Sequence, residues 1–126
     1  MLAARSHQML AVLRIVAALC FMVHGCEKLL GFPVAPGGGL PAMLTLPWFA
    51  GIIELFGSLL VVIGFQTRIA AFLMSGEMAV GYWMAHAPKS FYPAVNGGDA
   101  AVLYCFLFLY LVFAGPGAWA IDNRRG

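Results

Sequence analysis

The sequence predicts an all-α fold: an integral membrane four-helix bundle formed by one domain, residues 1–126, with both termini cytoplasmic. The first observation behind this prediction is composition. Hydrophobic residues make up 63% of the chain and charged residues only 10%, with a mean hydropathy of +0.92, whereas about a quarter of a soluble domain is charged. The second is that turns or Gly/Pro-rich segments separate four apolar stretches, at residues 9–30, 48–65, 69–87 and 100–114. Because about 20 apolar residues cross a bilayer as a helix, these stretches are predicted to be membrane spans.

The first stretch, residues 9–30, combines an apolar face with ionisable side chains. Arg14, His24 and Lys28 fall within an arc of about 80° on a wheel of 100° per residue, whereas Glu27 lies outside it, near the end of the span. Ionisable groups inside a span need protein partners or water. We therefore expect this arc to face other helices. Its charges and the spans that follow argue against a cleaved signal peptide.

The other three stretches each place an acid at a distinct position. Glu54 is the only charge of residues 48–65, and it lies on a face of small residues, which allow helices to approach closely in membranes. Glu77 lies near the middle of residues 69–87. Asp99 directly precedes residues 100–114 and is predicted to cap them. Glu54 and Glu77 are therefore predicted to point at neighbouring helices.

The placement of basic residues predicts the orientation. With both termini inside, the cytoplasmic side holds Arg5, Arg68, Arg124 and Arg125, whereas the outer side holds Lys89 and, near its span end, Lys28. Cytoplasmic loops carry an excess of Lys and Arg. Residues 31–47 and 88–98, both rich in Gly and Pro, are therefore predicted to lie outside.

Depth along the helices suggests two partnerships. Arg14 and Glu77 are predicted to form a buried charge pair in the inner half, and His24 and Glu54 to pair in the outer half. A buried pair can simply neutralise charge and determine how helices pack, so a structural role remains open for both. A ligand-binding site is predicted near the outer loops, from His24, Glu54, Lys28, Asp99 and His86. Their spacing matches no metal-ligand pattern, so no metal site is predicted.

Composition also argues against some functions. The net charge of +2 is small and unclustered, which disfavours nucleic acid as a partner. Cys20, Cys26 and Cys105 form no C-x-x-C pair and lie in apolar stretches. They are interpreted as buried, inert thiols rather than a disulfide framework.

Several short motifs follow one another in a fixed order along nearly the whole chain. H-G-x-x-K-L begins at His24; G-x-x-E-x-x-G surrounds Glu54 and its span closes on G-F-x-T-R; an acid after Gly-Gly, Asp99, opens the fourth span, which is followed by G-P-G-x-x-x-x-D ending at Asp122. In order and spacing the chain resembles the DoxX family of small bacterial four-helix membrane proteins. Asp99 stands where such proteins often carry glutamate.

The resemblance implies a multi-pass protein of the bacterial inner membrane. Some members are linked to redox complexes, including a thiosulfate:quinone oxidoreductase subunit, and others to oxidative-stress systems. It thus implies a subunit associated with redox or quinone chemistry or with an oxidative-stress response, without naming a reaction. The chain has no recognisable flavin, haem or iron–sulfur motif, so the cofactor is unknown and a quinone is the hypothesis for it.

Two other classes of function stay open. A small proton-coupled transporter or exporter, possible as a homodimer, could use Glu54 or Glu77, because proton coupling needs an intramembrane carboxylate. A purely structural membrane assembly protein needs no ligand. The expected partners are the lipid bilayer, a lipophilic small molecule, and a second copy or redox partner proteins.

Overall fold

The computed structural model describes residues 1–124, and the segments of regular structure within them are all helical, which confirms the all-α prediction. The helices are α1 (Ser6–Leu30), α2 (Leu46–Ile63), α3 (Thr67–Gly81), the short α4 (Pro93–Asn96) and α5 (Asp99–Ala114). A π-helical turn, Tyr82–His86, continues α3. Arg125, which was predicted to lie on the cytoplasmic side, is outside the described residues. Within the described residues, Ala3–Leu30 and Leu46–Ile63 are long and apolar enough to cross a membrane, and Asp99–Ala114 is a shorter apolar helix.

The local sequence explains where the first two long helices end. Gly31 follows α1 with φ 71°, and Gly64 follows α2 with φ 72°, a left-handed conformation that favours glycine. In both places the glycine N–H bonds back to the last turn of its helix. Pro47 lies in the first turn of α2, where its missing N–H leaves no helical bond unmade.

Close packing of α1 on α2 depends on glycine. A Cβ atom at Gly25 of α1 would lie 2.5 Å from the backbone nitrogen of Leu55 in α2, so the two backbones nearly touch. α3 packs against both α2 and α5. The buried core draws on α1, α2, α3 and α5 and includes Phe21, Val61, Met74 and Phe108.

Arg14 binds backbone carbonyls rather than Glu77, so the predicted pairing of these two residues is wrong. Its fully buried guanidinium donates to the carbonyls of Pro116, Ala118 (3.0 Å) and Trp119 (3.1 Å), with a longer contact to Val62 at 3.4 Å. The Val62 carbonyl lies in the last turn of α2, where a helix leaves acceptors without an internal donor, and the other three carbonyls belong to the segment after α5. Arg14 therefore satisfies backbone groups.

The first and last described segments lie at the same end of the helices as the α2–α3 turn. His7 accepts a backbone hydrogen bond from Ala118 at 3.1 Å. The carboxylate of Asp122 accepts from the backbone N–H groups of Gln66 (2.8 Å) and Thr67 (3.0 Å), at the start of α3. An acid at this position is favourable because it satisfies orphan donors at a helix N-terminus.

At the opposite end, Asn96 organises the loop between α3 and α5. Its buried side chain donates to the Tyr82 hydroxyl (3.1 Å) and the Ser90 carbonyl (3.0 Å) and accepts from the Gly98 N–H (2.8 Å). Gly98 is the N-cap residue of α5, and Asp99 is its first helical residue. The prediction that Asp99 caps this helix is therefore wrong.

Candidate functional site

A cavity of about 660 Å³ lies between α2 and α3. Its walls are mainly apolar and include Phe49, Ile53, Phe72, Leu73, Val80 and Met84. Several of these side chains are more than half exposed at the surface of the described chain, among them Phe72 and Met84. The cavity therefore opens to the surface of the described chain through an apolar rim.

Lys28 and Glu54 form an ion pair that lines this cavity. The Lys28 ammonium lies 2.6 Å from one Glu54 carboxylate oxygen and 2.8 Å from the other. The Glu54 side chain is almost completely buried, whereas that of Lys28 is 32% exposed. Gly51, one turn before Glu54, packs against the Lys28 Cβ, and this close approach brings the ammonium to the carboxylate. A buried carboxylate needs a partner, and Lys28 supplies the positive charge that offsets the cost of burying Glu54.

Glu77 adds a second carboxyl group on the α3 side of the same cavity. It lies close enough to Glu54 for the two carboxyl groups to interact electrostatically, and two neighbouring carboxylates repel each other unless one of them holds a proton. The Oε1 atom of Glu77 is buried and finds no hydrogen-bond partner among residues 1–124. Glu77 therefore offers polar bonding capacity that a ligand in the cavity could use.

Two glycines of α3, Gly76 and Gly81, leave bare backbone in the cavity wall. A Cβ atom built on either one would meet no other heavy atom within 4 Å. Glycine inside a helix lowers its stability relative to alanine. Neither Gly76 nor Gly81 is needed for close packing, and the absence of their side chains leaves space in the cavity.

His86 also lines the cavity, from the last position of the π-helical turn. Its Nδ1 lies 3.1 Å from the backbone carbonyl of Asn96. A carbonyl only accepts hydrogen bonds, so in neutral His86 the proton is on Nδ1 and the Nε2 lone pair is an acceptor. The Asn96 loop thus determines the tautomer of a residue that faces the ligand space.

Comparison with known proteins identifies the family. The DoxX family model matches residues 9–87. The chain belongs to the DoxX family. The matched region of this DoxX-family protein contains the polar cavity residues Lys28, Glu54, Glu77 and His86.

Three relatives align over most of their length. An uncharacterized protein of Haemophilus influenzae is 48% identical over 122 residues, covering 91% of this chain and 89% of that one. An uncharacterized membrane protein of Mycobacterium tuberculosis is 27% identical, with coverages of 89% and 78%. The inner membrane protein YphA of Escherichia coli is 29% identical, with coverages of 92% and 89%. No solved structure matches. Family membership and these relatives identify the DoxX-family chain as a membrane protein.

The structure of this DoxX-family protein brings some of the predicted site residues together. Lys28, Glu54 and His86 line the cavity, whereas His24 and Asp99 do not. His24 is exposed and contacts the ring of Tyr104 at a centroid distance of 6.3 Å. The predicted pairing of His24 with Glu54 is wrong, because Lys28, one helical turn further along α1, bonds both Glu54 oxygens. The exposed side chain of Asp99 lies at the start of α5.

Glu77 is the cavity residue that the sequence analysis missed, because it paired Glu77 with Arg14. At about 1.5 Å per residue, Glu54 lies about 12 Å from the start of α2, and Glu77 about 13 Å from His86, at the end of the turn that continues α3. These two ends lie at the same side of an antiparallel helix pair. Glu77 and Glu54 therefore lie at similar depths from the outer ends of their helices. The prediction counted the depth of Glu77 from the inner end of its helix and so paired Glu77 with Arg14.

Proposed function

We propose that this DoxX-family protein is a multi-pass inner-membrane protein with four spans and both termini cytoplasmic. The α3 helix and its π-helical continuation, Thr67–Gly81 and Tyr82–His86, together supply the third span, and α5 the fourth. One feature supports the orientation, and a second supports the location. Arg5, Arg68 and Arg124 belong to the end where the first and last described segments meet, and cytoplasmic segments are enriched in basic residues. The similarity to an inner membrane protein of Escherichia coli agrees with this location.

The proposed role is to hold a lipophilic molecule with a polar head group, of the quinone type, in the cavity between α2 and α3. One observation carries this proposal: an apolar cavity of about 660 Å³ has the Lys28–Glu54–Glu77 cluster in its wall. Ligand sites are commonly apolar cavities of roughly 300–1,000 Å³ with a few convergent polar groups. A rim of exposed apolar side chains suits entry from the lipid phase.

The polar cluster suits a carbonyl head group. Lys28 has three N–H donors, and its short contacts to the two Glu54 oxygens leave donor capacity for a ligand. A protonated Glu77 carboxyl, whose buried Oε1 has no hydrogen-bond partner among residues 1–124, is a second donor. Both kinds of donor stabilise a carbonyl oxygen in apolar surroundings, where hydrogen bonds are stronger than in water. Redox association would follow from a bound quinone that exchanges electrons with a partner protein.

The test is to purify the native protein in mild detergent, extract the bound small molecules and identify quinones by mass spectrometry. We expect about one quinone per chain in wild type and a loss of at least tenfold in Gly76→Leu, because the new side chain enters open space in the cavity. Ala114→Leu is the matched control, since Ala114 is an exposed helical residue outside the cavity lining. Equal quinone content in all three proteins, or none in wild type, would overturn the quinone assignment.

A further inference from the structure

The cavity lining contains two carboxyl groups, those of Glu54 and Glu77, but only one Lys or Arg among the described residues. Lys28, contributed by α1, and Glu54, contributed by α2, neutralise each other through two short contacts. Glu77 then stands without a cation of its own, since Lys28 is the only Lys or Arg among the described residues that line the cavity. The other ionisable lining group is His86, beyond the end of α3, and α5 contributes Ala101. An unpaired carboxylate in apolar surroundings is strongly disfavoured. With neutral His86, the ligand-free cavity has no net charge when Glu77 holds a proton.

A cation that enters the cavity changes this balance. If it lies beside Glu77, the carboxylate form gains a partner of opposite charge, and the Glu77 proton can leave. The cluster then contains two carboxylates and two positive charges, again with no net charge. The neutral state is therefore reached in two mutually exclusive ways, with a proton or with a lipophilic cation.

The cavity walls also suit a bulky organic cation. Phe49 and Phe72 line it from α2 and α3, and the faces of aromatic rings attract cations, more strongly when both are removed from water. Gly76 and Gly81 leave room beside Glu77 on the same helix. The buried Oε1 of Glu77, which has no hydrogen-bond partner among residues 1–124, supplies a negative pole that other protein groups do not occupy.

We propose that this cavity binds a lipophilic organic cation in exchange for the proton of Glu77. In this exchange the carboxyl O–H bond of Glu77 breaks, the proton goes to water, and the carboxylate forms an ion pair with the incoming cation. No electron is transferred, so no oxidant or reductant is needed. The inference goes beyond quinone binding and concerns a second class of ligand for the same cavity. It explains why α3 carries an acid beside an ion pair that is already neutral.

The experiment uses tetraphenylphosphonium as the probe and the full-length protein in detergent. Calorimetry measures binding, and a pH indicator in weakly buffered solution measures released protons. We expect one proton released per cation bound. Affinity should rise as pH rises, by up to about tenfold per pH unit, because the proton and the cation compete for Glu77.

Glu77→Gln removes the exchangeable proton while keeping the shape of the side chain. We expect at least a tenfold loss of cation affinity and no proton release, with binding and release retained in Glu77→Asp. His24→Ala is the control, because His24 is an exposed ionisable residue outside the cavity lining, and we expect wild-type behaviour from it. A thermal melt confirms that each variant is folded.

The outcomes separate this inference from quinone binding. Cation binding with proton release in a protein that holds no quinone would support the exchange and overturn the quinone assignment. Quinone binding without any cation binding would do the reverse. Cation binding that is independent of pH, or equally tight in Glu77→Gln, would overturn the exchange even if Gly76→Leu abolished it.

Discussion

The Lys28 ammonium contacts both carboxylate oxygens of Glu54, at 2.8 and 2.6 Å, and joins α1 to α2 beside the cavity. Glu54 is fully buried and Lys28 partly so. A surface pair of this kind contributes little to stability, because solvent screens it. Here one partner is withdrawn from solvent, and the loss of the other leaves a buried charge uncompensated.

Lys28→Met should therefore destabilise the protein strongly. Removing one member of a buried pair typically costs about 3–5 kcal/mol, whereas removing both costs much less because no isolated charge remains. We expect a clear drop in the thermal midpoint in detergent for Lys28→Met, and recovery of most of it in Lys28→Met with Glu54→Gln. If the two single changes simply add in the double variant, the pair does not stabilise the folded state.

Arg14→Met should also be destabilising, but for a different reason and without coupling to Glu77. Arg14 donates to carbonyls of the segment after α5, including those of Ala118 and Trp119. Unsatisfied buried acceptors cost about 1–3 kcal/mol each. We expect the effects of Arg14→Met and Glu77→Gln on the thermal midpoint to be additive, because separate sites behave independently. If the thermal midpoint of the double variant equals that of the more stable single variant, Arg14 and Glu77 interact and the predicted pairing is correct.

Two glycines in helices should respond in opposite ways to alanine. Gly76→Ala should stabilise α3 by about 0.5–1 kcal/mol, the usual difference between glycine and alanine in a helix interior, because its Cβ meets open space. Gly25→Ala should destabilise the protein, because its Cβ would lie 2.5 Å from the Leu55 nitrogen and force α1 away from α2. Thermal melts measure both. Destabilisation by Gly76→Ala would mean that this position is packed rather than open.

The proposed topology places the loop after α3 and the segment after α5 on opposite sides of the membrane. In a background without native cysteines, Lys89→Cys should react with a membrane-impermeant thiol reagent added outside intact spheroplasts. Asn123→Cys should react only after the membrane is opened. Both positions are exposed in the structure, so accessibility of the side chain does not limit the reaction. Labelling of both from one side would contradict four spans with both termini cytoplasmic.

The sequence alone determined much of the local structure. Apolar stretches and glycines predicted the long helices, although the third ends as an α-helix at Gly81 and continues as a π-helical turn. The arc of Arg14, His24 and Lys28 correctly predicted that Arg14 and Lys28 face protein, but His24, in the same arc, is exposed. These features depend on residues close together in the chain, whose periodicity and capping can be read without knowing the neighbours.

Only the tertiary structure decided which groups meet. A helical wheel gives the direction and depth of a side chain on its own helix, but not which partner stands opposite. Arg14 met backbone carbonyls, which no pattern of charged residues reveals. Lys28 rather than His24 met Glu54, because Gly51 allows its stem to approach α2. Glu77 of α3 thus lies beside the Lys28–Glu54 ion pair, which is already neutral. This arrangement depends on how α1, α2 and α3 pack together, which the sequence of each helix does not give.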